Sequence, residues 1–341
     1  MSPCCLKFLH RSVPVVLVVL AFLATGCEKK PTPPGQGPSQ VRLGYFANLT
    51  HAQAVLGVSS GDFARAVAPA KLSTKIFNAG PSLIEALFAG EIDLGYIGPG
   101  PAISGFTKSS GRGLRIIAGV SANGVLIVAR KDAGIHSLED LKGKRIATPQ
   151  LANTQDISAR HYLLSVLKQA NTSTIVPVAN AEQAGMMARK QIDAAWAPEP
   201  WGSRLIVEAD ATLIAEEKDL WPNKELTLAV IIVRPEFLRD HADAVEKFLR
   251  VHCAWTQRLR REPQAQVGAL GDALFALTGK RLPPGVLDKA IGYVKFTDDP
   301  LPDTLETMAR WSHELGFVKE KPVLDGMVDL TMLNRLQGES K

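Results

Sequence analysis

The sequence predicts a two-lobed α/β protein, each lobe a mainly parallel sheet flanked by helices, with a helical C-terminal section. Short β-branched runs alternate with helical patterns in two series, Val41 to Ala129 and Ser137 to Val233. Such alternation implies βαβ units. From Pro235 onward the chain reads almost wholly as helix, with Pro263, Pro283–Pro284 and Pro300–Pro302 as breaks. The length, 341 residues, fits about two domains at ~150 residues each.

In the first series, Val41–Phe46 is a short strand and Thr50–Ala68 a helical pattern. Strand Leu72–Phe77, helix Ser82–Ala89, buried strand Leu94–Ile97 and short helix Ala102–Lys108 follow. Arg115–Val120 and Val125–Ala129 close the series as strands. The second opens with a capped turn at Ser137–Leu141, then strand Arg145–Thr148 and helix Asp156–Gln169. Strand Ile175–Val178, helix Glu182–Arg189, strand Ala194–Ala197, helix Trp201–Ala209 and strand Thr212–Ala215 continue it. Leu228–Val233 is the last strand, and the helices beyond it are expected to carry no sheet. The predicted division is 41–128 with 228–341 as the first lobe and 129–227 as the second.

The N-terminus reads as an address. Lys7, His10 and Arg11 precede an apolar run, Val13 to Leu23, that ends in small residues and Cys27. This is the layout of a secretory signal peptide over 1–26, and the run is well short of the ~20 residues that span a bilayer. Leu-Ala-Thr-Gly-Cys resembles a bacterial lipoprotein cleavage box, with Ala24 where an aliphatic residue is usual and Leu23 one place further out. Cys27 is then the lipidated first residue of the mature chain. Glu28–Gln40 carries four prolines, two glycines and no large apolar residue, so 27–40 is a tether that cannot build a core. Cys253 alone remains after Cys4, Cys5 and Cys27 are set aside. One cysteine forms no internal disulfide, and it is expected to be a buried core thiol.

Composition excludes several classes of function. Hydrophobic residues make up 46% and charged residues 21%, with a formal net charge of +5 from scattered basic residues. That describes an ordinary globular chain without the basic stripe of a nucleic-acid binder. Gly57-Val-Ser-Ser-Gly61 matches the spacing of a nucleophile elbow, but a helical stretch precedes it where the elbow needs a strand. No HExxH or CxxC spacing occurs, so no metal and no cofactor is implied.

Chemistry is expected at the strand-to-helix junctions, because ligands of open α/β sheets bind beyond the carboxyl ends of strands. Helix starts there present unpaired N–H groups and a partial positive charge. The junctions read Asn48-Leu-Thr-His51, Gly80-Pro-Ser82, Gly98-Pro-Gly-Pro101, Ala152-Asn-Thr-Gln155 and Pro198-Glu-Pro-Trp201. Together they describe a polar cleft between the lobes.

Further strings carry a resemblance. They are Arg42-Leu-Gly-Tyr-Phe46 with Thr50-His-Ala-Gln53, Leu83–Asp93 ending Gly-Glu-Ile-Asp, Gly95–Gly98, Leu138–Ala147 with Asp-Leu-Lys-Gly-Lys, Ile192–Trp196 and Glu199-Pro-Trp201. On these the chain resembles the solute-binding lipoproteins of ABC importers for nitrate, taurine and aliphatic sulfonates, which include binders of thiamine-pyrimidine precursors. The resemblance implies a type II-like periplasmic binding protein fold whose lobes close over a small anion. By position it implies that Phe46, Asn48, Thr50, His51, Gly80, Pro99, Thr154, Gln155 and Trp201 face the ligand, with Glu199 beside them. His51 gains charge near pH 6.5 and suits an anion when protonated. Glu199 repels an anion unless the ligand is also cationic or the carboxylate has a structural partner. An amino-sulfonate such as taurine reconciles the two.

The function implied is that of an extracytoplasmic capture protein, not an enzyme. Its partners are a small anion, alkylsulfonate- or taurine-like, an ABC permease with its ATPase, and the membrane through the lipid on Cys27. It is expected to be a monomer in the cell envelope. The alternatives are a nitrate or thiamine-pyrimidine-precursor binder in the same fold, and a sensor or scaffold lipoprotein without transport.

Overall fold

The structure is a computed structural model that describes residues 37–339. The signal peptide 1–26, the lipidated Cys27 and the tether up to residue 36 lie outside the described residues. Among the described residues, no helix is long and apolar enough to cross a membrane.

The chain starts with β1 (Gln40–Tyr45), α1 (Ala52–Ser59), α2 (Asp62–Val67), β2 (Lys71–Ile76), α3 (Gly80–Phe88), β3 (Leu94–Ile97), α4 (Pro99–Lys108) and β4 (Arg115–Asn123). Where one helix was predicted over Thr50–Ala68 there are two. Gly61 sits at φ +76° and breaks the run, a conformation that glycine adopts without steric penalty. The series continues with β5 (Val125–Arg130), β6 (Ile146–Thr148), α5 (Thr154–His161), β7 (Ile175–Pro177), α6 (Asn180–Ala188), β8 (Ala194–Pro198), α7 (Trp201–Glu208) and β9 (Ala211–Glu216). The predicted helix at Asp156 starts at Thr154, because the Asn153 side chain accepts from the Asp156 N–H at 3.0 Å and caps it. It passes into a π-helical turn over Tyr162–Val166.

The last third holds β10 (Thr227–Val233), α8 (Pro235–Asp240), α9 (Ala242–Arg261), α10 (Val267–Thr278), α11 (Val286–Ala290), β11 (Val294–Phe296), α12 (Pro302–Glu314) and α13 (Thr331–Glu339). The C-terminal section is therefore not free of sheet: Val294–Phe296 pairs with Asn123–Ser121 at the edge of the first sheet. Cys253 on α9 is half-buried against the core, and burial pushes its thiol up to about 12.

Two sheets result, in the orders β11-β4-β10-β3-β1-β2 and β7-β6-β8-β5-β9. They are mixed where mainly parallel sheets were predicted. β1 pairs parallel with β2 and β3, and β6 with β7 and β8, whereas β10 and β5 run antiparallel to both neighbours. The parallel strands end at the cleft between the lobes. A strand arriving from the other lobe starts at the cleft and runs against them, and β5 and β10 are those strands. The first crossing falls at Gly124, so Val125–Val128, predicted for the first lobe, lie in the second sheet.

β10 is buried along its whole length. Ala229, Ile231 and Val233 point into one core with α1, α2 and α9, while Val230 and Ile232 point into the other with α3, α4 and α12. β5 divides in the same way in the second sheet. Strands covered on both faces read as unbroken apolar runs, and alternation along them feeds two cores. The C-terminal section touches both lobes: α11 packs against α7, and α12 against both α4 and α5.

Each lobe repeats one clasp. In the first, Asp93 accepts from the Arg42 backbone N–H at 3.0 Å, from Arg42 Nε at 2.8 Å and from Arg234 Nη2 at 2.6 Å. In the second, Asp193 accepts from the Arg145 backbone N–H at 2.9 Å, from Arg145 Nε at 3.1 Å and from Arg130 Nη2 at 3.1 Å. Each aspartate immediately precedes the strand at the middle of its sheet, β3 or β8, and ties it to the adjacent segment at β1 or β6.

Candidate functional site

A cavity of about 740 Å³ opens between the lobes. It lies where β1, β2, β3, β6, β7 and β8 hand over to the helices that follow them, as the junction argument requires. Phe46, Asn48, Thr50, His51, Gly80, Thr154, Gln155 and Trp201 line it. Pro99 and Glu199 are not among the lining residues.

The floor is polar and buried: Asn48, Thr50, His51, Thr154 and Gln155 are all shielded from solvent. His51 is fixed from two sides. Its Nδ1 accepts the Phe46 backbone N–H at 3.2 Å, and its ring stacks on Phe46 with centroids 4.5 Å apart. Burial pushes its pKa down to about 3, since low dielectric disfavours the charged form. The expectation of a protonated His51 near pH 6.5 is therefore corrected. With Nδ1 accepting, the neutral ring carries its proton on Nε2 and acts as an uncharged donor.

The two lobes meet at helix starts. The Gly100 N–H of α4 donates to Thr154 Oγ1 of α5 at 3.3 Å. The approach needs glycine, because a Cβ on Gly98 would stand 2.5 Å from Thr154 Oγ1.

Glu199 is committed elsewhere. Fully buried, it accepts the Ser203 N–H at 3.0 Å and the Ser203 hydroxyl at 2.7 Å, which ties the first turn of α7. Burial raises its pKa to about 7 against the pull of both hydrogen bonds. Its structural partner is Ser203, which leaves no free carboxylate here to pair with a ligand ammonium group. A carboxylate with a raised folded pKa contributes stability that is complete below its ordinary value of 4.5. That contribution is lost as pH rises through about 7. Glu199→Gln keeps an acceptor and a donor for Ser203 without ionising. It is expected to gain on the wild type by up to ~3 kcal/mol between pH 5 and 9, read as the difference between their urea midpoints. Parallel pH profiles would refute this role.

Three cations that the sequence reading missed also line the cavity: Arg204 on α7, and Lys280 and Arg281 after α10. Arg204 pairs with Glu208 at 2.7 Å, and its guanidinium lies 5.5 Å from the Trp201 ring centre. Arg281 pairs with Asp272 at 3.1 Å. Junction reading covers only the first residues of each helix, so Arg204, one turn further on, escapes it. Lys280 and Arg281 come from the helical section, where no strand marks a junction. The available signal is Thr278-Gly279-Lys-Arg281, a glycine helix stop at φ +69° followed by two cations. Glu182 is the one carboxylate among the lining residues, and it is exposed. Among the described residues, no cluster of three or more His, Cys, Asp or Glu is placed to hold a metal ion.

Comparison with known proteins gives the family and the fold. A family model described as the NMT1-like family matches residues 35–269. The taurine-binding periplasmic protein of Escherichia coli (strain K12) is 28% identical over 181 residues, covering 51% of this chain and 53% of that one. The chain spans about half the length of the first curated relatives it matches. Among solved structures, the alkanesulfonate-binding protein SsuA from Xanthomonas axonopodis pv. citri, bound to MOPS, superposes with a TM-score of 0.71 at 22% identity, covering 86% of this chain and 99% of that one. The periplasmic nitrate-binding protein NrtA from Synechocystis PCC 6803 gives 0.73 at 14% identity, covering 89% and 90%. These two likenesses establish the fold, that of periplasmic binding proteins.

Proposed function

The chain belongs to the NMT1-like family, and from that membership we propose that it is the solute-binding component of an ABC importer. It captures a small organic anion between its lobes outside the cytoplasm and hands it to a permease and its ATPase. It acts as a monomer without catalysis, and a lipid on Cys27 holds it at the membrane. The observation that carries this reading is the interlobe cavity, whose buried floor offers uncharged hydrogen-bond donors from both lobes and whose lining adds three cations. A ligand that touches both lobes favours the closed arrangement by its differential affinity for it. Cations around a cleft raise the local concentration of anions.

The experiment is thermal unfolding against taurine, alkyl- and arylsulfonates, nitrate, bicarbonate, phosphonates and thiamine-pyrimidine precursors. A ligand at about 100 times its dissociation constant adds ~2.7 kcal/mol. A shift confined to one class of anion supports the reading, and no shift with any member rejects anion capture. Uptake of the shifted solute that depends on this protein separates an importer component from a sensor.

His51 supplies a second test. His51→Ala is expected to weaken the captured anion about 10- to 100-fold, the worth of one hydrogen bond to a charged group. Since His51 protonates only near pH 3, affinity in the wild type is expected to stay flat from pH 5 to 8. A tenfold fall across that window would show that a charged His51 holds the ligand.

A further inference from the structure

We infer that the ligand of the interlobe cavity is a planar aromatic acid, an arylsulfonate by chemical class, held between rings supplied by the two lobes. This rests on the anion-capture reading above. Phe46 and Phe77 follow the ends of β1 and β2 in the first lobe, Trp201 opens α7 in the second, and all three line the cavity. Each ring has a neighbour against it, and His51 and Arg204 line the cavity alongside the rings they touch. Phe46 stacks on His51 at 4.5 Å, the Lys75 ammonium lies 5.4 Å from the Phe77 centre, and the Arg204 guanidinium lies 5.5 Å from that of Trp201. Phe46 and Trp201 are only half-buried although both belong to the cavity wall. Flat rings held in place on opposite lobes suit a flat π-system, which stacks on aromatic faces with geometric preference.

Size and charge point the same way. A cavity of about 740 Å³ has room for a ring as well as an acid group. An amino-sulfonate would leave its ammonium without a buried counter-ion, since Glu199 is bound to Ser203 and the lining carboxylate Glu182 is exposed. An aryl acid places its oxygens on the floor donors and its ring against the apolar walls.

The test is calorimetric titration with naphthalene-2-sulfonate, its saturated counterpart decahydronaphthalene-2-sulfonate, and taurine. The first two share a carbon skeleton and differ in the π-system, so their ratio reads ring stacking apart from general apolar burial. The aromatic compound is expected to bind at least about fivefold tighter than the saturated one, and taurine at least 100-fold weaker. Trp201→Leu and Phe46→Leu are each expected to bring the aromatic-to-saturated ratio towards one. Melting of the unliganded variants checks that they fold, and either variant suffices. A wild-type ratio within twofold, or taurine as tight as the aryl compound, overturns the inference while leaving anion capture in place. Failure of every sulfonate to bind rejects the capture reading itself, and this inference with it.

Discussion

Asp93→Ala is expected to destabilise the protein by about 3–5 kcal/mol, measured as the shift in urea unfolding. Asp93 is fully buried and is shared by two arginines, Arg42 and Arg234, as well as by the Arg42 backbone N–H. Removing the carboxylate leaves two guanidinium groups with their solvation lost and their partner gone. That cost exceeds the worth of the pair itself. The arginine side chains retain about a quarter of their exposure, which places the expected value at the lower end. Asp193→Ala should cost less, about 1–2 kcal/mol, because Arg145 is half exposed and can rehydrate, and the more buried Arg130 keeps Asp132 as a partner. Hydrogen bonds from Arg145 hold the Asp193 carboxyl down at about 2. Its contribution is therefore present above pH 3.8 and is lost as pH falls towards 2. An Asp93→Ala protein within 1 kcal/mol of the wild type would show that the first clasp is not what secures β3.

Gly100→Val is expected to leave each lobe folded and to weaken ligand binding by at least 100-fold. A Cβ on Gly100 would lie 2.9 Å from Ile157 Cδ1 and 3.1 Å from the Thr154 backbone nitrogen. Those atoms belong to α5, in the opposite lobe, and a backbone nitrogen inside a helix cannot rotate away. The added methyls of valine force the lobes apart, and a ligand that needs donors from both then loses one set. The chain crosses between the lobes at Gly124, at φ +72°, and in the segment between β9 and β10, and α12, packed on both α4 and α5, must shift with them. Small-angle scattering should show a variant that no longer compacts on adding ligand, while melting stays cooperative at a lowered temperature because Ile157 shares a core with α4 and α12. Unchanged affinity would mean that ligand is held without the apposition of α4 and α5.

Much of this architecture can be read from the chain because burial leaves a periodic trace. β10 and β5 stand out as unbroken apolar runs, and the junction segments carry the small and capping residues that helix starts need. Strand direction leaves no such trace, so the reversal of β5 and β10 appears only once the lobes are assembled. Val294–Phe296 is too short for a pattern of its own, and only its pairing with β4 makes it a strand. In the site, Phe46, Asn48, His51 and Thr154 were legible because they adjoin the ends of strands. The protonation of His51 was not, because it depends on how completely the ring is enclosed. Glu199 misled through its charge, although Ser203 four residues on, a natural partner across one helical turn, was visible in the sequence. Lys280 and Arg281 reach the cavity only because α10 packs on α1, a contact between segments more than 200 residues apart.

The two clasps sit at the starting ends of β3 and β8, while the cavity opens at the finishing ends of the same strands. The ion pairs and the interlobe cavity thus occupy opposite ends of the same strands. Under the proposed function, substitutions at Phe46, His51, Thr154 or Trp201 are expected to change what is recognised while Asp93 and Asp193 keep the sheets intact. On that proposed function, such a division lets recognition change through single substitutions around the cleft while the sheets stay folded. A sensor built on the chain would then be redesigned at the cavity rim, with the clasped ends of β3 and β8 left untouched.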